Sequence, residues 1–577
     1  LLGFTHKIFS QNKEINGRVE NNQQQPIAFA TVSLLKQIDS TLVKVLVTKE
    51  DGTFKLTTNE TAALNIKVSS LGFEEIMVPV TSTFMNIVLQ EKTEELEAVQ
   101  VVAKKPIVQV LADKTVFNVE NTLSAAGVTG FDLLRKAPGV LVDNNENLIV
   151  EGKTGVLIYI DGKPSVLQGQ DLTNYLKTLQ STDIESIEII TQPSSKYDAA
   201  GNAGILNIKL KKDKRFGTNG SLTAGYAIGR FPKYNSSLSF NNRDKKLNLF
   251  GSLSNRIGKN YNFINLYRIQ NNTIFDSRSQ NESYNRNNNV RLGADFYASS
   301  KSTFGFILNG NFNNVDAFNN SRTPIIPEST NQPDQVLIAQ VNSEANSYNL
   351  NGNLNYRFAD TLGHSLNIDI DAGKYSNRRN SLQPNFYYDG SETNIQSQFI
   401  YYMVTPIDIS IFSSKADYEQ DLLGGKLGLG VKTSLVKTDN TFNFFDVVDG
   451  ENERNEDRSN NFVYKENINA AYINFNKKWS KWNIQTGLRV EQTVSDGELN
   501  SEQVNSNERV KRNYVNFFPS GGLTYQLNQN NQFALTYSKR IERPTYQSLN
   551  PFEMQIDELS FSRGNPFLQP QYTDNIK

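Results

Sequence analysis

From residue 216 onward, the sequence alternates apolar and polar side chains with a period of two over long stretches. One such stretch has Tyr348, Leu350, Gly352, Leu354, Tyr356 and Phe358 on one side and Asn349, Asn351, Asn353, Asn355 and Arg357 on the other. Successive side chains of a β-strand point to opposite faces, so this period predicts strands rather than helices. The chain is therefore restricted to sheets that have one apolar and one strongly polar face.

Repetition of this pattern is what indicates the environment of the sheet, since a single alternating strand is also found in soluble sandwiches. Segments of about 10 residues with the same two faces recur, and aromatic residues lie near their ends, as in transmembrane β-barrels. Every backbone group in lipid must be paired, which requires a closed barrel. For residues 214–577 we predict an antiparallel transmembrane β-barrel, with the apolar face toward lipid and the polar face toward the interior.

The links between these segments differ in length. Short links at residues 241–246 and 478–481 predict tight periplasmic turns. Longer polar links predict external loops at residues 313–346, 375–402, 437–461 and 491–512. We count about fourteen strands, whereas a plugged transporter has about 22, so we expect an incomplete barrel within this sequence.

Ionisable residues limit the chemistry. The net charge of -1, from 59 basic and 60 acidic side chains, offers no field that would attract nucleic acid. There are 0 cysteines and 2 histidines, His6 and His364, too few for a thiolate site or an imidazole cluster. The acidic residues between 446 and 457 could bind calcium, but Arg454 and Arg458 interrupt them and the spacing is not that of a calcium loop. We predict no catalytic residue, no metal site, no cofactor and no enzyme activity.

Two further features concern membranes. The sequence has no run of about eighteen apolar residues, so we expect no transmembrane helix. The neighbouring aromatics Tyr401 and Tyr402, and likewise Phe517 and Phe518, are interpreted as residues of the membrane interface rather than ligand contacts.

The N-terminal part reads as a small soluble module. Residues 1–10 resemble the tail of a secretory signal peptide with cleavage between Ser10 and Gln11; the alternative is a frayed end. Short strands separated by turns predict an Ig-like β-sandwich over residues 11–90. This segment resembles the carboxypeptidase regulatory-like domain, a non-catalytic module, through Gly17, Val19, Pro26, Ala30, Thr31, Val32, Thr48, Asp51, Gly52, Phe54, Leu71, Gly72 and Phe73.

Residues 104–213 predict an α+β domain. A short helix ends at Pro138-Gly139, and a second helix has Leu172, Leu176 and Leu179 on one face. In order, four segments resemble the plug domain of TonB-dependent outer-membrane receptors: residues 133–140, 158–164, 184–189 and 197–208. The sequence departs from that family at residues 192–195, where Gly-Pro is more usual.

Residues 91–103 link the two soluble domains and change from acidic to β-prone. They are either a linker with the first strand of the next domain, or an extended strand that docks on the sheet edge of a partner. Their position before the plug-like domain makes them resemble a TonB box. That resemblance implies binding of a TonB-type energy-transducing protein through Leu96, Glu97, Ala98, Val99, Gln100, Val101 and Val102.

The resemblance continues near the end of the sequence. Residues 533–552 and 564–573 resemble a signature within the barrel of TonB-dependent receptors of the Bacteroidetes type, in which several strands follow. It implies an outer-membrane location and energised uptake of an external small ligand, such as a metal chelate, glycan, peptide or vitamin, whose contacts are unknown. The alternatives are an outer-membrane structural or adhesion protein, and an enzyme that uses carboxylates.

Overall fold

The computed structural model describes most of the 577 residues. The described residues are 13–91, 106–110, 114–119, 128–143, 146–165, 169–179, 181, 184–211, 216–501, 509–528, 531–550, 553–557 and 560–577. They form two compact units. An N-terminal unit comprises Leu1–Pro193 and Ala200–Lys212, and a C-terminal unit comprises Ser194–Ala199 and Asp213–Lys577. None of the helices in the described residues has the length and apolar character needed to span a bilayer.

The N-terminal unit begins with the predicted sandwich of two small sheets. Its strands are β1 (Lys13–Asn21), β2 (Thr31–Lys36), β3 (Leu42–Val47), β4 (Thr53–Thr58), β5 (Leu64–Ser69), β6 (Ile76–Pro79) and β7 (Phe84–Leu89). One sheet has the order β4-β1-β7 and the other β3-β2-β5-β6. Alternate residues such as Ile15, Val32, Leu56 and Ile66 are fully buried between the sheets, as the period-two pattern requires.

An α+β domain follows. Its elements are β8 (Val108–Val110), β9 (Thr115–Asn118), α1 (Gly130–Lys136), β10 (Val140–Val142), β11 (Leu148–Val150), β12 (Leu157–Ile160), β13 (Lys163–Pro164), α2 (Gly169–Thr178), β14 (Ile184–Ile190) and β15 (Ile205–Leu210). Thr129 caps α1 through a capping box with Asp132, and the helix ends before Pro138 because proline cannot continue it.

The central sheet of this domain has the order β13-β12-β15-β14-β9-β8. Strands β14 and β15 are antiparallel, with Ile187 opposite Ile208, and both side chains are fully buried. The chain re-enters β15 at Gly204, which has φ +98; a Cβ there would lie 2.3 Å from the Ile190 carbonyl oxygen. Only glycine adopts this positive φ readily and also leaves room for the Ile190 carbonyl oxygen.

The C-terminal unit is dominated by one antiparallel sheet of 15 strands within the described residues. In chain order its elements, with the small ones beside it, are β16 (Gly217–Ile228), β17 (Pro232–Arg243), β18 (Leu247–Gln270), β19 (Thr273–Tyr297), β20 (Ser302–Pro327), β21 (Gln335–Ala359), β22 (Ser365–Asp389), β23 (Ile395–Leu422), β24 (Gly425–Val448), β25 (Glu451–Arg454), β26 (Asn460–Trp479), β27 (Trp482–Ser501), β28 (Arg509–Gln526), β29 (Gln532–Glu542), α3 (Tyr546–Leu549), β30 (Glu553–Asp557), β31 (Ser560–Arg563) and β32 (Gln571–Ile576). Consecutive long strands pair with their neighbours from β16 to β29, and β32 pairs with β29. The fold class is therefore mainly β, as predicted.

One face of this sheet exposes a continuous set of large apolar side chains, which we call the apolar band. Leu350 is 39% and Leu354 57% exposed, so neither lies in a dry protein interior. The band includes Phe304, Phe306, Leu308, Phe312, Leu350, Leu354, Phe412, Leu429, Val431, Leu435, Ile473, Leu488, Val494, Val515 and Phe517. The opposite face, which we call the inner face, carries Asn, Ser, Thr and charged residues. This division confirms the faces predicted from the alternation.

The strands are much longer than the segments of about 10 residues that the sequence pattern predicts. Four polar stretches interpreted as loops belong largely to paired strands; β23, for example, has 28 residues and reaches Ile395. Outside the apolar band the strict alternation of apolar and polar side chains is lost, although the backbone ladder continues. Asn319 opposite Val341 and Ser381 opposite Met403 are pairs within this extension. The tight turns predicted after β17 and β26 are present.

Candidate functional site

A short segment, Ser194–Ala199, packs with the inner face of the large sheet although it lies between β14 and β15 in the chain. The Ala199 carbonyl oxygen accepts a hydrogen bond from the Ile541 backbone amide at 3.0 Å. The Ser195 hydroxyl donates to the Ile473 carbonyl oxygen at 3.0 Å. Ala199 also packs against Phe518 and Ile541, and all three side chains are buried. Backbone, polar and apolar contacts together fix this segment on β26 to β29.

Asp198 is the centre of a charge cluster on the inner face. Its carboxylate lies 2.6 Å from the Lys432 ammonium on β24 and 2.9 Å from the Arg489 guanidinium on β27. Arg489, 1% exposed, also donates to Glu491 at 2.5 Å. A carboxylate held by two cations at these distances makes charge-assisted hydrogen bonds, the stronger class.

The cluster continues from Glu491 along the same face. Glu491 accepts from Arg543 at 2.7 Å and from the Ala199 backbone amide at 3.1 Å. Arg543 also donates to the Thr493 hydroxyl at 3.0 Å. Positive and negative groups therefore alternate through the charge cluster, which consists of Lys432, Asp198, Arg489, Glu491 and Arg543.

Strand geometry explains why these residues meet. Arg489 and Glu491 are two positions apart on β27 and therefore point to the same face. Lys432 on β24 is in register with Ala470 on β26, which is in register with Glu491. The small side chain of Ala470 leaves room for Lys432 to reach toward β27.

Electrostatics keep Asp198 ionised. Burial by itself would raise the pKa of this carboxyl, but Lys432 and Arg489 hold the pKa far below its ordinary value. The Asp198 carboxylate is consequently charged near neutral pH.

Two weaker contacts flank the cluster. Lys196 lies 2.7 Å from Glu419, but both side chains remain about one third exposed, so the pair contributes little. Gly487 faces Ser195, where a Cβ would lie 2.3 Å from the serine hydroxyl oxygen. Any larger residue at Gly487 would push Ser195 away from the sheet.

Comparison with known families decides the class of the C-terminal unit. Residues 357–577 match the outer membrane protein beta-barrel family. The C-terminal unit is an outer-membrane β-barrel. Residues 15–101 of the same outer-membrane protein match the CarboxypepD_reg-like domain. A search of curated proteins finds no match.

Solved structures similar to this outer-membrane protein include three ferric-chelate proteins. The ferric citrate transporter FecA is 13% identical with a TM-score of 0.49, covering 74% of this chain, which spans 62% of FecA. The ferric-catecholate import receptor Fiu of E. coli K12 is 13% identical, with a TM-score of 0.48 and coverages of 84% and 73%. The ferric yersiniabactin uptake receptor FyuA of Yersinia pestis is 11% identical, with a TM-score of 0.29 and coverages of 80% and 89%. At such identities and scores, these similarities carry no functional argument.

The barrel places the predicted interface aromatics on two different faces. Phe517 is 59% exposed in the apolar band, whereas Phe518 is 3% exposed on the inner face against Ala199. Tyr401 is likewise buried, against Phe444. The interpretation of both members of each pair as interface residues is wrong, because neighbours on a strand point to opposite sides. An aromatic row of Trp479, Trp482 and Tyr525 marks one edge of the apolar band instead.

The partner-binding residues predicted from the sequence, Leu96, Glu97, Ala98, Val99, Gln100, Val101 and Val102, lie outside the described residues. Their role stays a prediction. In the acidic segment, Asp446 accepts from Asn455 at 2.7 Å and Arg454 pairs with Glu456 at 3.0 Å. Among the described residues, no three His, Asp or Glu side chains gather as a metal site.

Sequence reasoning did not find the charge cluster. Its five members come from Ser194–Ala199, β24, β27 and the residues just after β29, so no local motif contains them. The available signal was the pair Arg489 and Glu491 on the polar face of a predicted strand. Opposite charges two positions apart on a polar face that is otherwise rich in Asn and Gln indicate a further charged partner.

Proposed function

We propose that this protein is a TonB-dependent outer-membrane receptor that binds an external small ligand and imports it with energy from the inner membrane. The family match places the barrel in the outer membrane. In this proposal the α+β domain is the element that moves, and residues 96–102 receive the pull of a TonB-type protein. The receptor is a binding and transport protein, with no catalytic step.

The charge cluster around Asp198 is the observation that carries this proposal. A buried ion pair adds little net stability, since each charge regains its hydration when the pair separates into water. Removing only one partner is costly, because the other charge then stays buried and unpaired. The cluster can therefore hold Ser194–Ala199 in one position and still release it as a whole without a large net free energy.

The short covalent link between β14 and Ser194–Ala199 would transmit a pulling force to this segment. Strand β14 ends at Ile190, and Ser194 follows four residues later. Strand β14 pairs with both β9 and β15, so tension on the N-terminal side of the α+β domain would reach the segment through backbone hydrogen bonds. Extended strands that add to a partner's sheet edge bind through backbone groups, which suits the β-prone residues 96–102.

Deletion of residues 96–103 tests the transport role. We expect uptake to be abolished while ligand binding at the cell surface persists, because the external residues are untouched. A panel of iron chelates, glycans, peptides and vitamins offered to a deletion strain first identifies the substrate. A matched variant, in which residues 96–103 are replaced by eight Gly/Ser residues, separates loss of the docking strand from loss of linker length.

Equal loss of surface binding and uptake in both variants would contradict the docking role. Uptake that survives a protonophore would instead favour the alternative of a structural or adhesion protein. One observation supports that alternative: paired strands such as β20 and β23 continue far beyond the apolar band, so polar protein surface extends away from the membrane.

A further inference from the structure

One sheet of the N-terminal sandwich is buried on both of its faces. In β2, Val32 and Leu34 point into the sandwich core and are fully buried. Successive residues of a strand point to opposite sides, so Thr31 and Ser33 lie on the outer face of the sheet β3-β2-β5-β6. Thr31 is nevertheless only 6% and Ser33 2% exposed, and Val45, the cross-strand partner of Ser33, is 5% exposed. Another part of the chain therefore covers this outer face.

The cover includes the α+β domain, which belongs to the same compact unit as the sandwich. The Gly139 backbone amide donates a buried hydrogen bond of 3.1 Å to the Thr31 hydroxyl. A Cβ built on Gly139 would lie 3.7 Å from Cγ1 of Val47. A Cβ built on Gly152 would lie 3.6 Å from Cγ1 of Val45. Polar and apolar contacts thus join the two domains. The surface on the sandwich side, which we call the sandwich interface, consists of Thr31, Ser33, Val45 and Val47.

The contacting glycines of the α+β domain lie in two neighbouring turns. The Glu151 amide donates to the Gly139 carbonyl oxygen at 3.1 Å, which ties the turns together. Val140 follows one turn and Val150 precedes the other; they are cross-strand partners and belong to the core of the domain. Leu71 of the sandwich packs against the same core. A force applied to the sandwich would therefore act on the core of the α+β domain through β10 and β11.

The two domains also flank the segment that receives the proposed pull, residues 96–102. Toward the N-terminus the chain leads to β7, whose six residues all pair with β1. Toward the C-terminus it leads to β8, a strand of three residues at the edge of its sheet, paired with β9. A pull that acted through β8 alone would load three residue pairs at this edge. A pull that also acts through β7 reaches β10 and β11 by way of the sandwich interface.

We propose that the sandwich is a second attachment point for the pull, and that it stays docked on the α+β domain during transport. This inference rests on the proposed function, whereas the docking itself does not. The chemistry of the sandwich interface supports a lasting contact. Separation would expose Val45 and Val47 to water, which is unfavourable. The charge cluster around Asp198 differs, because its charges regain hydration when they separate. The apolar contact therefore stays closed while the ionic contact opens.

A disulfide across the sandwich interface tests whether docking persists. The sequence has 0 cysteines, so V47C/G139C can form only one disulfide within the chain. The Cβ atoms of a disulfide lie about 3.5–4.5 Å apart, a spacing that the close approach of Gly139 to Val47 brings within reach. Mass spectrometry of linked peptides from intact cells detects the bond. We expect the oxidised variant to take up the radiolabelled panel compound at the rate of the reduced variant. The reduced variant is the matched control, because it carries the same substitution at the positive φ of Gly139.

A second variant opens the sandwich interface. Val45→Asp places a carboxylate against Gly152 at a buried position outside the sandwich core, which disfavours docking. Exchange of the Gly139 amide in the purified full chain should accelerate about fivefold or more, the effect of losing one hydrogen bond. Uptake should be largely lost, and surface binding of the panel compound should persist. Phe84→Asp is the matched control, since it adds the same charge at a side chain that is 61% exposed, and it should behave like wild type.

Three outcomes would overturn the proposal. The first is absence of the disulfide in V47C/G139C. The second is loss of uptake in the oxidised form with recovery on reduction, which would mean that the sandwich must undock. The third is wild-type uptake, or unchanged exchange at Gly139, in Val45→Asp. Unchanged exchange of the Ile66 amide, in the sandwich core, shows that this variant is folded. Uptake that survives deletion of residues 96–103 refutes the proposed function instead, while the disulfide and the exchange rates still report docking.

Discussion

Replacing Asp198 with asparagine should loosen Ser194–Ala199 from the sheet without unfolding the barrel. Asp198 holds two cations, Lys432 at 2.6 Å and Arg489 at 2.9 Å, in a largely buried site. Loss of one partner of a buried ion pair costs about 3–5 kcal/mol. The lower end applies here, because Arg489 keeps its second partner, Glu491, and the amide can still accept a hydrogen bond. A cost of about 3 kcal/mol corresponds to about 100- to 200-fold in the local opening equilibrium.

Native-state hydrogen exchange measures this opening. The reporters are the Ala199 amide, which donates to Glu491, and the Ile541 amide, which donates to the Ala199 carbonyl oxygen. Both should exchange about 100- to 200-fold faster in Asp198→Asn. Glu419→Gln is the matched control, because its ion pair with Lys196 is on the same segment but partly exposed and worth at most about 1 kcal/mol, or about fivefold.

Protection of the Ala199 amide should also depend on pH in a defined direction. The pKa of Asp198 is lowered in the folded protein. Its contribution to the stability of the contact between Ser194–Ala199 and the sheet is therefore fully present above the ordinary carboxyl pKa of about 3.9. It is lost as the pH falls below that value toward the folded pKa. Protection of Ala199 should therefore be constant from pH 8 to 5 and fall below about pH 4. The fall should be smaller in Asp198→Asn, where only protonation of Glu491, which accepts from the Ala199 amide, still contributes. Equal acceleration by Asp198→Asn and Glu419→Gln would refute the reasoning.

Two further substitutions test the packing of the segment and the lipid face. Gly487→Val should displace Ser195 and accelerate exchange at Ala199 about 5- to 150-fold, which corresponds to overpacking by about 1–3 kcal/mol. Gly352→Val should not, since no atom lies within 4 Å of a Cβ built there; equal effects would count against the close approach. Phe306→Arg, near the middle of the apolar band, should lower the free energy of folding into lipid vesicles by about 2–4 kcal/mol in a urea titration. Asn320→Arg on the same strand, beyond the band, should change it by at most about 1 kcal/mol, and equal losses would contradict the assigned lipid face.

The strands and their faces could be predicted because one physical rule acts on every residue of the sheet. Leu350 and Leu354 face the same side since they are an even number of positions apart, whatever the rest of the chain does. The same alternation predicts the core of the N-terminal sandwich, in which Ile15 and Ile66 are fully buried. The helix α1 also ends where the Pro-Gly sequence predicts.

Strand ends could not be predicted by the same rule. Hydrophobic alternation exists only where one face meets an apolar medium and the other meets water. Beyond the apolar band that contrast between the two faces is lost, so Asn319 and Asn320 resemble loop residues although their backbone groups remain paired with β21. For Phe517 and Phe518 the prediction used aromatic composition alone and ignored the alternation along the strand. Both were therefore assigned to the membrane interface, although they point to opposite faces.

The charge cluster could not be predicted because its members are joined by the fold alone. Asp198 and Lys432 are more than two hundred positions apart, as are Ala199 and Glu491. A charged residue on a polar face is normally solvated, so no single member of the cluster predicts a buried ion pair. Only the register of β24, β26 and β27 brings them within hydrogen-bond distance.

The length of the paired strands bears on how the proposed receptor would capture a molecule outside the cell. A strand of 25 residues such as β21 is about 80 Å long. A hydrocarbon layer about 30 Å thick, crossed at a tilt of about 45°, accounts for about half of that length. The remainder is held by a continuous ladder of backbone hydrogen bonds, so it keeps its form before any molecule arrives. If the proposed function holds, capture there would cost little chain entropy, which favours fast and reversible contact with small solutes over slow enclosure by mobile loops.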